Sequence, residues 1–243
     1  MSASHDAQLA LACLDFTRLN ERDEEQDIKG FLQQLSANKP LPAAICIYSQ
    51  WLTYVRVFMQ SHFAEVPALA TVTNFPGGDQ PLNDVLKHTE LALSLGADEI
   101  DLVLPYKRLQ AGDEQTPLDY VRRAKALCDG RAKLKVIIES GELGLTQVAQ
   151  ATRIAIAGGA DFVKTSTGKV AVNATLDAVA VILDELKHSD GTVGLKVSGG
   201  VRTLAQAQQY MDLTTEKMGR EWLTPERFRF GASALLDELY KAL

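Results

Sequence analysis

Short apolar runs alternate with longer stretches of helical spacing along nearly the whole chain, and this alternation constrains the fold most. The apolar runs are rich in Val, Ile, Leu and Ala and end in Gly, Pro, Ser or Asn. They predict strands at 12–19, 43–48, 68–75, 99–106, 133–140, 162–167, 193–198 and 229–232, the first and last being the weakest patterns. Helical patterns lie near 24–36, 50–63, 81–95, 117–129, 144–158, 175–188, 203–217 and 233–242. Most strand runs are almost continuously apolar, as expected where a parallel sheet is buried on both faces. Such alternation argues for βα units. Eight of them in 243 residues predict a single (β/α)8 TIM barrel, an α/β fold, spanning residues 1–243. An open doubly wound sheet is the competitor. No Gly-x-Gly-x-x-Gly follows an early strand, which counts against its dinucleotide-binding version.

Local chemistry supports several boundaries. Pro76-Gly77-Gly78 separates the third strand from its helix, and Gly96 and Gly158-Gly159 suit helix C-termini. Thr116-Pro117 fits an N-cap followed by proline at the first helical position. No low-complexity segment or long linker marks a domain boundary.

A hydrophobic fraction of 46% supplies a large core, and the net charge of −6 argues against nucleic-acid or anionic-membrane partners. A small anionic substrate needs only a local basic pocket. Cys13, Cys46 and Cys128 are odd in number and widely spaced, which suggests neither a disulfide framework nor a zinc site. A reducing, cytoplasmic setting is expected. The apolar run from Leu9 to Leu14 has no basic residue before it and is followed at once by Asp15 and Arg18, unlike a signal peptide. No apolar stretch reaches the length of a membrane span.

Active-site groups of a barrel sit at the carboxyl ends of its strands. The polar residues there are Asp15, Thr17, Cys46, Asn74, Asp101, Glu139, Lys164, Ser166, Thr167, Lys196, Ser198 and Ser233. Two stand out, because Lys164 and Lys196 interrupt strands that offer no solvated face. Alternation puts Phe162, Lys164 and Ser166 on one face, and Gly194, Lys196 and Ser198 on another. Neighbouring parallel strands are about 4.8 Å apart, so the two ammonium groups can lie close. A second cation and partial desolvation lower a lysine pKa and make the amine a nucleophile for carbonyl carbon. The structural alternatives are ion pairs of Lys164 with Asp161 or of Lys196 with Asp101. Asp101, in an apolar strand, is either a proton-relay group or a purely structural partner. The face taken by Lys135 is open.

Three glycine-bearing strand ends form a second cluster: Thr167-Gly168-Lys169, Ser198-Gly199-Gly200 and Gly231-Ala232-Ser233. Glycine lets backbone approach an anion, and barrel phosphate sites commonly use the loops after strands seven and eight. Cys46 reads as a small core residue, since no base lies nearby in sequence. His5, His62, His88 and His188 show no metal-ligand spacing, so no metal is expected.

These residues resemble the deoxyribose-phosphate aldolase family, class I aldolases on a (β/α)8 barrel. The resemblance runs from about Leu11 to Leu243. It rests on Asp15-Phe-Thr-Arg-Leu-Asn, Ala44-Ile-Cys-Ile-Tyr, Thr71-Val-Thr-Asn-Phe-Pro, Gly96-Ala-Asp-Glu-Ile-Asp and Lys135-Val-Ile-Ile-Glu-Ser-Gly-Glu-Leu. It continues through Gly159-Ala-Asp-Phe-Val-Lys-Thr-Ser-Thr-Gly-Lys, Val193-Gly-Leu-Lys-Val-Ser-Gly-Gly-Val-Arg and Arg229-Phe-Gly-Ala-Ser. It implies reversible cleavage of 2-deoxy-D-ribose 5-phosphate to D-glyceraldehyde 3-phosphate and acetaldehyde, in deoxyribose phosphate catabolism. It also implies a homodimer and no cofactor beyond a covalent Schiff base. By resemblance Lys164 is the Schiff-base lysine, Lys196 the lysine that depresses its pKa, and Asp101 the acid of the proton relay. Thr167, Gly168, Lys169, Gly199, Gly200, Gly231 and Ser233 fall at the phosphate end, and Thr17 and Cys46 near the small-aldehyde end. Ala234 stands where a second serine is common. The alternatives are another Schiff-base barrel lyase on a related phosphosugar, and a barrel that binds a phosphosugar without catalysis; the latter needs Lys169 and the glycine loops but not Lys164.

Overall fold

The computed structural model describes residues 3–189 and 192–243. Eight parallel strands close into a barrel in chain order, with β1 pairing both β2 and β8. They are β1 (Leu14–Arg18), β2 (Ala44–Ile47), β3 (Ala68–Thr73), β4 (Glu99–Val103), β5 (Lys133–Ile137), β6 (Phe162–Lys164), β7 (Gly194–Ser198) and β8 (Phe228–Ala232). The expected (β/α)8 barrel is therefore the observed fold, and the open sheet is not. Around it run α1 (Ala3–Ala12), α2 (Glu25–Leu32), α3 (Leu52–His62), α4 (Leu82–Ser94), α5 (Tyr106–Gln110), α6 (Gln115–Cys128), α7 (Leu145–Ala157), α8 (Leu176–His188), α9 (Leu204–Met218) and α10 (Leu235–Ala242).

The apolar strand runs divide their side chains between two cores. Outward residues such as Ile45, Leu69, Ile100, Val136, Val163 and Leu195 join the buried faces of the helices. That shell is the larger core, as the amphipathic pattern of each helix requires. Inward residues face one another across the barrel, and here the apolar pattern breaks. Ala44, Cys46, Ala70 and Val72 form a small separate apolar wall on β2 and β3. The remaining strands bring charge to the interior.

Several details differ from the sequence expectation. The segment before residue 12, which the hydrophobic pattern leaves without an element, forms α1, because Ala7, Ala10 and Leu11 lie on one helical face and are fully buried. The fourth strand ends at Val103, not at 106, since Pro105 offers no N–H to the sheet and Tyr106 begins α5. The sixth ends at Lys164, so alternation does not carry on to Ser166, whose hydroxyl instead donates to Asn173 Oδ1. Helix α6 starts at Gln115, which makes Pro117 its third residue; the Asp113 carboxylate accepts from Thr116 N–H. Gly96 and Gly159 take positive φ at helix ends as expected, whereas Gly158 stays right-handed. No helix among the described residues is long and apolar enough to cross a membrane.

Candidate active site

Strand register decides which charged residues meet. Asp101 on β4 lies opposite Lys135 on β5; Lys164 on β6 lies opposite Lys196 on β7; and Lys196 lies opposite Arg229 on β8. All five side chains are at most slightly exposed. Asp101 is the hub. Its Oδ2 accepts hydrogen bonds from both Lys164 Nζ and Lys196 Nζ at 2.7 Å, and its Oδ1 accepts one from Lys135 Nζ at 2.9 Å. The three residues singled out from sequence are thus in direct contact.

The network extends further than the sequence suggests. Lys196 Nζ also lies 2.5 Å from Asp15 Oδ2, and Lys135 Nζ lies 2.5 Å from Glu99 Oε2; both are close ion pairs without hydrogen-bond alignment. Arg229 donates to Asp15 Oδ1 at 2.6 Å and to Glu99 Oε1 at 3.1 Å. Lys135 also lies 3.4 Å from Asp15. Four bases therefore face three carboxylates inside the barrel. Burying ions is costly unless each is paired, so the distribution of partners matters. Lys135 touches three carboxylates, and Lys196 and Arg229 touch two each. Among the described carboxylates, Lys164 touches Asp101 alone.

That asymmetry sets the titration. Burial lowers the Lys164 pKa, Asp101 resists, and the charge of Lys196 reinforces the lowering, so Lys164 ends below the ordinary lysine value. Burial also acts against a charged Lys196, but Asp101 and Asp15 together hold it above that value. Lys135 is held well above it, because Asp101, Glu99 and Asp15 outweigh burial. Burial acts to raise Asp101, but Lys135, Lys164 and Lys196 hold it well below the usual carboxylate range. The buried amine most ready to be neutral is the one with a single counter-ion, and losing its proton balances the cluster.

Sequence reasoning leaves Lys135 unassigned and gives Glu99 and Arg229 no part. One signal was available: a charged residue in a strand with no solvated face needs a partner on a neighbouring inward face. The alternative pairing of Lys164 with Asp161 is not made. Asp161 lies outside the barrel and accepts from Lys125 Nζ and Leu134 N–H, both at 2.7 Å.

Above the charged layer lies a cavity of about 340 Å³ lined by Thr17, Thr167, Gly168, Lys169, Ser198, Gly199, Gly200, Gly231, Ser233 and neighbouring residues. Every residue assigned to the phosphate end is there, with Thr17. Cys46 is not. It sits fully buried on the apolar wall opposite Thr17 and Ala70, and burial pushes its thiol up, which suits a packing residue. Gly168, Gly199 and Gly200 have positive φ. The Lys169 ammonium reaches across to donate to the Leu19 carbonyl at 2.6 Å. Among the described residues no group of His, Cys, Asp and Glu is placed to hold a metal ion.

Comparison with known proteins agrees with this geometry. A family model described as DeoC/LacD family aldolase matches residues 9–239. The apo form of a Toxoplasma gondii protein, named provisionally as a deoxyribose-phosphate aldolase, superposes with a TM-score of 0.90 at 24% identity, over 99% of this chain and 97% of that one. A deoxyribose phosphate aldolase from Aeropyrum pernix, described as a unique tetramer, gives 0.75 at 23% identity, over 97% and 91%.

Proposed function

Because the chain belongs to the DeoC/LacD family of aldolases, we propose that it is a class I aldolase that cleaves 2-deoxy-D-ribose 5-phosphate reversibly to D-glyceraldehyde 3-phosphate and acetaldehyde. The observation that carries this reading is the sharing of Asp101 Oδ2 by Lys164 and Lys196, with Lys164 the less compensated of the two.

Neutral Lys164 attacks the sugar aldehyde, and loss of water gives an iminium. The iminium draws the electron pair of the bond between carbons 2 and 3 into an enamine, while the hydroxyl on carbon 3 becomes the new carbonyl. That hydroxyl must lose a proton, and Asp101 accepts it, through a water. A carboxylate held low by three lysines is a weak base at the start. Cleavage converts the cationic iminium to a neutral enamine and removes one of those three charges, so Asp101 becomes a stronger base in the step that needs it. It then returns the proton to the enamine carbon, and hydrolysis frees acetaldehyde and Lys164. Lys196 stays charged on Asp15 and Asp101 throughout and disfavours a second charge on Lys164. The chemistry needs no metal or bound cofactor.

The cavity beside this layer suits the phosphate. Ser198 follows Lys196 by two residues on the same face of β7, and Gly231 lies against both, so the cavity adjoins the charged layer. Holding the remote end aligns the reacting carbon with Lys164. Two copies of the chain in a homodimer are the proposed assembly, to be read by sedimentation.

Borohydride reduction in the presence of acetaldehyde and EDTA, followed by peptide mass analysis, tests the proposal. An ethyl adduct on Lys164 is expected. A protein that turns over substrate with Lys164 unmodified overturns it.

A further inference from the structure

Glu139 follows β5 as a fully buried carboxylate, and it is one of two residues other than glycine, among those described, with positive φ (53°). The left-handed region is unfavourable for a side-chain-bearing residue unless its surroundings hold it there. Both oxygens of Glu139 are spent on one residue. Oε1 accepts from Thr167 N–H at 3.1 Å and Oε2 accepts from the Thr167 hydroxyl at 2.6 Å. Thr167 Oγ1 in turn accepts from Lys169 N–H at 3.1 Å. The loops after β5 and β6 interlock at two further points. Ser140 N–H donates to the Thr165 carbonyl at 2.8 Å, and Gly141 lies flat against Val172, where a Cβ would stand 1.8 Å from the Val172 carbonyl oxygen.

We infer that Glu139 is a positioning residue that templates the 167–169 loop as an anion cradle, and that Thr167 belongs to the scaffold of that cradle rather than to its donors. This rests on the reading of the cavity as the phosphate end of the site. Thr167 has two hydrogen-bond donors, and Glu139 takes both. The hydroxyl then presents only lone pairs, one of which fixes the Lys169 N–H. What remains turned to the cavity is Gly168, at positive φ, and the Lys169 side chain. An isosteric amide in place of Glu139 keeps one acceptor but turns an NH2 group toward the Thr167 hydroxyl, which breaks the chain of bonds while leaving the loop its volume.

The test is calorimetric titration with inorganic phosphate of the intact protein, Glu139→Gln, Thr167→Val and the double variant. Acetaldehyde trapping at Lys164 is measured separately, so that failure of the aldolase reading and failure of this one stay distinct. The expected result is about a tenfold loss of phosphate affinity in each single variant, the scale of one lost hydrogen bond to a charged group. The double variant should lose no more than either single, with trapping at Lys164 retained in all. Unchanged phosphate affinity in Thr167→Val, additive losses in the double variant, or joint loss of phosphate binding and trapping would each overturn the inference. Glu139→Asp, which shortens the reach of the carboxylate to Thr167, takes the place of Glu139→Gln in the same cycle if that variant does not fold.

Discussion

The four interior bases are chemically similar, yet their partners give them opposite roles in stability. Lys135 pairs with Asp101, Glu99 and Asp15, and its removal leaves Glu99 with Arg229 as its one partner among the described residues. Lys135→Met should cost about 3–5 kcal/mol in urea unfolding, the usual penalty for breaking a buried pair. Lys164→Met should leave stability unchanged or raise it, because its one counter-ion, Asp101, keeps both Lys135 and Lys196, while abolishing acetaldehyde trapping. A Lys164→Met loss as large as that of Lys135→Met would contradict the unequal sharing of counter-ions described above. Lys196→Leu tests the tuning. It removes the charge that helps hold Lys164 low, so the acid limb of the pH–rate profile should move to higher pH. kcat/KM should fall about tenfold at pH 7 and recover as pH rises; a parallel loss at every pH would give Lys196 a different part. Lys164, Lys196 and Asp101 are legible in sequence because a charge inside an apolar strand is conspicuous. Lys135 is equally conspicuous, but its face depends on register with β4, which one strand read alone does not contain.

At the level of elements, the site depends on small residues on the inward faces of β7 and β8. Gly231 is in register with Ser198, and a Cβ there would stand 2.6 Å from Ser198 Oγ and 3.0 Å from Lys196 Cε. The glycine therefore serves two neighbours, giving Lys196 its path across the barrel and the cavity its floor. Gly231→Ala should displace Lys196 from the shared oxygen of Asp101 and reduce kcat by about ten- to a hundredfold, the scale of a misplacement near 1 Å, with a smaller change in thermal stability. Steady-state kinetics beside a melting curve separates the two effects. The strands and most helices are readable from hydrophobic period, because each outward face must meet a helix. The ends are less so: β6 stops at Lys164 where the backbone turns to meet the loop after β5, a contact between distant segments. Helix α1 is hidden for a related reason, since its buried face is mostly alanine and its partner is the far C-terminal helix α10.

The whole molecule carries the charge proposed for catalysis inside its barrel, so on that reading activity and acid stability share groups. Burial acts to raise Asp15, but Lys196, Lys135 and Arg229 reverse this and hold it below the usual carboxylate range; Asp101 is held there by Lys135, Lys164 and Lys196. A carboxylate with a depressed folded value stabilises the fold fully above its unfolded pKa of about 3.9, and that contribution is lost as pH falls toward the folded value. The lysines held high, Lys135 and Lys196, contribute fully below about 10.4 and lose their effect only as pH rises through their own folded values. Lys164, held low, works the other way, its contribution being lost as pH falls from about 10.4 through its own folded value, so stability should rise gently with pH above about 5 and fall steeply below pH 4. Asp15→Asn removes one of the two groups responsible and should make the acid fall shallower while lowering stability at pH 7, because Arg229 and Lys196 lose a counter-ion. Urea unfolding at pH 7 and pH 3 measures both slopes. An acid limb unchanged in Asp15→Asn would place the acid sensitivity in the exposed carboxylates and detach it from the barrel interior.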